Sequence, residues 1–425
     1  MPAIAGLRQP AAKQVPAPAR RLYHVRPDPP NAEERIMQAG VHRTLAQPRI
    51  YQAVPMAEAI GAELDTCGAE RVFVTTTRSL TEGRLVATAI DALGARFAGK
   101  FDAIPAHSPR ESVIAGASAL RAAGADRILA IGGGSVIDAS KVMLQAIWYG
   151  IDQVEGLDAI VNGRHAGGRQ PDDWQRDPQA LRMIAVPTTL SAAEFSHRAG
   201  VTDTSTGRKL GFVHPLSAPE AVILDPAATL DTPMQLLLST GVRSIDHAVE
   251  RWCAARTVPF SDAVAYKALA MLLDALPRIH ADPADLEARH AAQVAMWLSM
   301  LPGATDVPMG ASHGIGYILG GAYGVPHGIT SCLMLPAVLE WNVSVNAVRQ
   351  RAIATLLGAA GEPAGPALRA FLAALGLPTR LREIGIEEEQ LPAMAARYDG
   401  TGPIRTNPRP VAGPEDVLEI LQLAW

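Results

Sequence analysis

The sequence has little of what marks secreted, membrane-embedded or nucleic-acid-binding chains. Among its 425 residues are three cysteines, Cys67, Cys253 and Cys332. They are too few and too widely spaced for a disulfide framework or a paired-cysteine zinc site. A reducing compartment, the cytoplasm, is therefore expected. No apolar run approaches the ~20 residues that span a bilayer, so no membrane association is expected. The formal net charge of -4 offers no bulk attraction to nucleic acid. Residues 1–45 contain no acid before Asp28, no serine and no apolar segment. That composition argues against a secretory signal and leaves a poorly ordered N-terminal extension as the expectation.

What is present is material for a core: 48% hydrophobic and 19% charged residues. Strand-like segments at Arg71–Thr75, Phe97–Ile104, Arg127–Ile131, Arg182–Pro187 and Ala221–Leu224 alternate with helix-like ones at Ala57–Leu64, Thr81–Leu93, Ser112–Ala123 and Ser135–Trp148. This alternation predicts a parallel sheet covered by helices. Asp158 to Gln179 is polar and rich in Gly and Pro, and reads as an exposed insertion. After Asp225-Pro226 strand patterns stop. Helices are expected over Thr232–Arg256, Ser261–Ile279, Pro283–Leu301, Ser331–Glu340, Val345–Gly358 and Gly365–Leu375. The reading is an α/β Rossmann-like dinucleotide domain over 46–225, followed by an all-α domain over 226–425.

The usual G-x-G-x-x-G fingerprint is absent. In its place Gly132, Gly133, Gly134 and Ser135 follow an apolar strand and open a helix. Glycines let a backbone approach a pyrophosphate without a Cβ in the way, and the helix start presents free N–H groups. Ser135 is placed to cap that helix or to donate to a phosphate oxygen. Asp138 and Lys141 follow on its first turns.

Gly132–Lys141 (GGGSVIDASK) resembles the dinucleotide signature of iron-containing alcohol dehydrogenases. Thr188 and Thr189, followed by Glu194, resemble the family's second cofactor segment, with a spacing similar to that of maleylacetate reductases. Gly207-Arg-Lys209, Ala221–Pro226 and Asn407–Pro410 match in family order. The resemblance spans residue 48 to Trp425 and implies a dehydroquinate synthase-like fold, with a catalytic cleft between nucleotide and helical domains. It also implies an NAD(P)-dependent oxidoreductase acting on a small carbonyl or alcohol substrate, assembled as a homodimer or larger homo-oligomer. After the first strand, Thr77 and Arg78 stand where NAD-preferring members often carry an acid. No carboxylate there repels a 2′-phosphate, so either NAD or NADP is accommodated.

His247, His313 and His327 occupy contexts that, in the resembling enzymes, supply three of four ligands to Fe²⁺ or Zn²⁺. The fourth, an aspartate one helical turn before His247, is Arg243 here, and a further family histidine is Tyr317. A guanidinium has no lone pair to give a cation. Asp246 is expected to point about 100° away from the His247 face. The leading reading is a carbonyl reductase without a tightly bound metal. In it Arg243 grips a carboxylate or an oxyanion, and His247, His313, His327 or Tyr317 supplies the proton. Its alternatives are a metal-dependent alcohol dehydrogenase using the three histidines, a cyclising lyase, and a non-catalytic dinucleotide-binding protein. His197 and His214 are lesser candidates for the cleft, as are Trp252, Tyr266, Met296 and Trp297 for a substrate pocket.

Overall fold

The structure is a computed structural model describing residues 44–163 and 181–425. Nearly all of the expected N-terminal extension and most of the expected polar insertion lie outside the described residues. In chain order the elements are β1 (Arg49–Gln52), α1 (Met56–Cys67), β2 (Val72–Thr75), α2 (Arg78–Thr81), α3 (Arg84–Leu93), β3 (Phe97–Phe101), α4 (Arg110–Ala122), β4 (Arg127–Gly132) and α5 (Gly134–Trp148). Then come β5 (Arg182–Pro187), β6 (Arg198–Asp203), β7 (Arg208–Val213) and β8 (Ala221–Leu224). The helices α6 (Met234–Trp252), α7 (Pro259–Ala281), α8 (Leu286–Met300), α9 (Ala311–Tyr323), α10 (His327–Leu356), α11 (Ala364–Ala374), α12 (Leu391–Ala395) and α13 (Pro414–Ala424) complete the chain.

The main sheet is parallel throughout, with strand order β1-β8-β5-β4-β2-β3. Strand β4 is buried along its whole length, as a parallel strand covered on both faces must be, and so after Arg127 its sequence reads as an apolar run, Ile128 to Ile131. Side chains alternate between the faces. Leu129 and Ile131 pack with Ile60 and Leu64 of α1 and with Val86 of α3. Ile128 and Ala130 pack with Leu120 of α4 and Met143 of α5. The chain leaves β2 toward β3 on one side and leaves β4 toward β5 on the other. In sheets of this kind the crevice beyond the C-terminal ends of two such strands is where ligands bind.

Several elements differ from the sequence reading. The four-residue edge strand β1 was too short to stand out. The hairpin β6–β7 forms a separate antiparallel sheet inside what read as cofactor loop. Gly83 divides the expected Thr81–Leu93 helix into α2 and α3. Helix α9 was missed because four glycines dilute its pattern. The two helices expected at Ser331–Glu340 and Val345–Gly358 form one, α10, kinked where Asn346 leaves helical geometry (φ -138, ψ 27). By length and composition α10 could cross a bilayer, contrary to the sequence reading, but 72% of its most apolar stretch is buried inside the protein. It is a core helix.

The α/β and helical parts share one core. Ala185 and Val222 of the sheet, with Leu190 and Phe195 beyond β5, cluster with Leu237, Val242 and Ile245 of α6 and with residues of α7, α8, α10 and α11.

Candidate active site

Helix α6 sets the site's chemistry. Residues Leu237 to Arg251 are all buried, yet they include Arg243, Asp246, His247, Glu250 and Arg251. Buried charges lower stability unless each is paired or hydrogen-bonded. These form such a network. Asp246 Oδ2 accepts from Ser331 Oγ at 2.6 Å and Ser312 Oγ at 2.9 Å, and lies 3.6 Å from Arg243 Nη1. Burial opposes its charge, but His313, Arg243 and Ser331 together hold its carboxyl below the usual range. The expectation that Asp246 points away from the site is thus corrected. It faces the same cluster as His313, 3.4 Å from Nδ1, and serves as the counter-ion of Arg243.

Glu250 sits one turn further along. It accepts from the backbone N–H groups of Gly310 (2.9 Å) and Ser312 (2.7 Å) at the start of α9, and from His313 Nδ1 at 2.7 Å. That bond places a proton on His313 Nδ1, and Nε2 is buried without a partner. The His247 ring lies beside it, centroids 4.9 Å apart. Burial above all, then His313 and Arg243, keeps His247 neutral, well below the usual imidazole range.

His327 opens α10 where that helix passes close to α6. A Cβ at Gly328 would lie 2.7 Å from the Ser239 carbonyl, so only glycine allows this approach. Lys209 Nζ on β7 lies 2.8 Å from His327 Nε2, and burial, opposed by Asp138, lowers this lysine from its ordinary value. When Lys209 is an ammonium it can only donate, which puts the ring proton of His327 on Nδ1. Burial, Lys209 and Arg243 all hold His327 well below the usual range. Tyr317, 45% exposed, and His107 each meet the His327 ring edge to face, at 6.1 and 6.3 Å.

His107 and Lys209 are the residues that sequence reasoning missed as site members. Lys209 was noticed only as part of a family match. His107 carries one further signal: it and Ser108 both adopt left-handed backbone (φ 64 and 50), strain that non-glycine residues keep mainly at functional sites. Their loop clasps the glycine turn. His107 N–H donates to Ser135 Oγ at 3.2 Å, and Ser108 Oγ donates to the Ser135 carbonyl at 2.7 Å.

The cofactor candidates gather at the crevice between β2 and β4. Thr77 and exposed Arg78 follow β2, and Gly132 to Ser135 follow β4. Thr188 and Thr189 come from the end of β5 next door. A Cβ at Gly133 would lie 2.9 Å from Thr189 Cγ2, and one at Gly134 3.0 Å from Ser191 Oγ, so side chains there would fill the cradle. Thr76 Oγ1, at the crevice wall, is buried without a partner. A helix N-terminus, an open backbone and an unused hydroxyl fit a dinucleotide.

Lys141 lies buried behind this cradle, and the partly exposed Asp138 stands beside it. Lys141 is fully buried and donates to the carbonyls of Ala193 (2.6 Å) and Arg198 (2.8 Å). Asp138 Oδ2 accepts from Gly200 N–H at 3.0 Å. Both tie α5 to the segment leading into the hairpin. Nor do the lesser candidates line the cleft. His214 is buried against Trp148 at 4.4 Å and caps a turn at Leu216. Met296 is core, Trp297 packs on Phe195, and Trp252 stacks with Tyr266 and Arg349. Burial, reinforced by Arg198 and Lys141, lowers His197 to about 4.

Glu194 is a separate consequence of this packing. It is fully buried with neither oxygen bonded, and burial pushes it up to about 7 despite Lys141 nearby. A carboxyl raised in the folded state costs stability as pH climbs from its ordinary value of 4.5 to 7. The cost is absent below that window and complete above it. Glu194→Gln is therefore expected to stabilise the protein by about 3 kcal/mol at pH 8 and by far less at pH 5. Denaturant titrations at the two pH values check this, and equal gains at both would contradict it.

Residues 48–226 match the iron-containing alcohol dehydrogenase family, and residues 237–425 match its C-terminal part. The chain belongs to the iron-containing alcohol dehydrogenase family. Dehydrogenase FUM7 of Gibberella moniliformis is 31% identical over 414 residues, covering 89% of this chain and 96% of its own. Maleylacetate reductase 1 of Cupriavidus pinatubonensis is 28% identical over 379 residues, covering 88% and 94%. Among solved structures, maleylacetate reductase from Rhizobium sp. strain MTP-10005 aligns with a TM-score of 0.75 at 27% identity, covering 92% of this chain and 99% of its own. This iron-containing alcohol dehydrogenase family member is thus an oxidoreductase of the maleylacetate reductase-like branch.

The family's metal is a poor fit to the residues this member carries. Arg243 replaces a ligand by a cation, and Lys209 Nζ stands 2.8 Å from His327 Nε2. Among the described residues, the nearby donor group with ligand atoms within 4.8 Å of one another is Asp246, Glu250 and His313, not the three histidines. Its carboxylates are already committed to Arg243, two serines and the start of α9.

Proposed function

We propose that this protein reduces the carbonyl of a small, carboxylate-bearing substrate, a keto acid such as maleylacetate, with NADH or NADPH, and does so without a tightly bound metal. The observation that carries the reading is Arg243. Its Nη1 is held by Ser331 at 3.1 Å and by Asp246, so the guanidinium is fixed in place beside His247 and His327. No hydrogen bond from its other nitrogens to a described residue is made, which leaves a planar fork for an anion.

When bound, the dinucleotide supplies the hydride that the carbonyl carbon accepts. Its pyrophosphate would be held by Gly132 to Ser135, and its remaining parts by Thr77, Arg78, Thr188 and Thr189. Arg243 orients the substrate through its carboxylate, so that the carbonyl oxygen faces the imidazoles of His247, His313 and His327. Negative charge developing on that oxygen is stabilised by the fixed Arg243 guanidinium, whose field acts strongly in a buried cleft. Tyr317, at the exposed rim, connects the site with solvent protons. We further propose a homo-oligomer in a reducing compartment, the cytoplasm; for the compartment the reading is supported by three free thiols, Cys67, Cys253 and Cys332.

The test is loss of dihydronicotinamide absorbance with maleylacetate, run with NADH and NADPH in parallel, against an uncharged aldehyde of similar size. Turnover that favours the keto acid by tenfold or more is expected. Turnover confined to the aldehyde and dependent on added Fe²⁺ or Zn²⁺ would support the metal-dependent alternative.

A further inference from the structure

We propose that Arg251, two helical turns beyond Arg243 on α6, is a second anion-binding residue of the site, so that the substrate is an oxo acid with a further acidic group at its far end. The inference rests on the carbonyl-reductase reading and adds a specificity-determining residue to it.

Three observations converge. First, Arg251 is a buried cation short of a counter-ion. It is 7% exposed, yet among the described residues its guanidinium donates only to the Ser299 carbonyl at 2.7 Å and to Met300 Sδ at 3.6 Å, both at the end of α8. Its Nε is buried without a partner, and Nη2 makes no hydrogen bond to a described residue. The other buried arginines are better served. Arg110 meets Asp158 and Asp203, Arg127 meets Glu220, and Arg243 meets Asp246. Arg289 donates to two backbone carbonyls and a hydroxyl. A guanidinium withdrawn from water without a carboxylate lowers stability, and an arriving anion removes that imbalance. Burial pulls Arg251 down to about 10, with Glu250 and Tyr317 acting the other way.

Second, Arg251 belongs to the same face as the site. Residues 243, 247 and 251 follow one another at i+4 spacing, which keeps them on one side of α6. His247, between the two arginines, feels both charges. From α9, Tyr317 at the exposed rim interacts electrostatically with Arg251. Third, the neighbouring turn keeps the fork clear. A Cβ at Gly303, in the turn Leu301–Thr305 after α8, would stand 3.0 Å from Arg251 Nη2, so glycine leaves that edge of the guanidinium open.

The spacing sets a length. About 12 Å of helix separates the Cα atoms of the two arginines, and a hydrogen bond of ~2.8 Å at each end leaves roughly 6 Å between the acid groups, the reach of a diacid of about five or six carbons. Its carbonyl then lies against His247, between the two anchors.

The experiment reads preference and binding separately. In the first arm an oxo diacid of that length is compared with its far-end monomethyl ester, using the wild type, Arg251→Met and Gly303→Ala. The wild type is expected to favour the diacid by roughly tenfold or more in kcat/KM, chiefly through KM. Arg251→Met should raise KM for the diacid enough to erase that preference, with kcat falling far less. Gly303→Ala keeps the arginine and crowds its fork, and should lie between the two. In the second arm, which needs no turnover, binding of unreactive glutarate and adipate in the presence of NAD⁺ is followed by calorimetry. Arg251→Met should bind them at least roughly tenfold more weakly than the wild type, while butyrate, with one acid group, loses far less. A wild type that reduces diacid and ester alike overturns the proposal, as does diacid binding that is absent or indifferent to Arg251. Should Arg251→Met fail to fold, an unchanged preference in Gly303→Ala overturns it too. If no carbonyl is reduced but diacid binding depends on Arg251, the reductase reading fails while the second anion contact stands.

Discussion

Arg243→Leu is expected to lower kcat/KM for a keto acid by roughly 10²–10³-fold, the scale of truncating one partner of a buried charge pair. An uncharged aldehyde of the same size should lose less than a tenth as much. The difference follows from geometry. Arg243 is 8% exposed and fixed at Nη1, so it meets a carboxylate with little reorganisation, whereas an aldehyde makes no use of its fork. Arg243→Lys keeps the charge and loses the fork, and should fall between the two. It also preserves a counter-ion for Asp246, which separates a binding defect from instability. Steady-state kinetics of the three proteins with both substrates decide the matter. Equal losses for acid and aldehyde would assign Arg243 to holding Asp246 rather than to substrate.

Glu250→Ala is expected to destabilise the protein by about 3–5 kcal/mol. Its carboxylate answers two backbone N–H groups at the start of α9 and the His313 ring, all buried. Removing it strands three donors at once and releases the proton position of His313. Glu250→Gln keeps an acceptor and the shape, and should cost about half as much. Thermal and denaturant unfolding measure the loss. A change under 1 kcal/mol in the alanine variant would mean that water replaces the carboxylate there.

What could be read from sequence depended on whether a residue's role is local. The glycine turn was legible because strand, glycines and helix are contiguous, and the crevice where it lies follows from strand order. The histidines were legible by their local contexts, but their partners were not. Asp246 was misjudged because an ideal helix angle counts only residues on α6. His313 and Ser331 reach Asp246 from other helices. Lys209 comes from a short hairpin of mixed pattern, 118 residues before the histidine that it contacts. His107 became visible only through its backbone angles and the loop's grip on Ser135. Lys141 shows the opposite case: a charged residue in a cofactor motif whose side chain donates to two carbonyls.

The core that joins sheet and helices bears on how such an enzyme can be rebuilt. Leu190 and Phe195 belong to the nucleotide half by sequence and to the helical half by packing. A chimera grafting this sheet onto a relative's helices would inherit their apolar side chains without the cavities that receive them. Modules cannot be traded across this seam as across a linker. A new substrate preference is reached more readily by point replacements on α6 and β7, where Arg243 and Lys209 stand, than by exchange of whole halves.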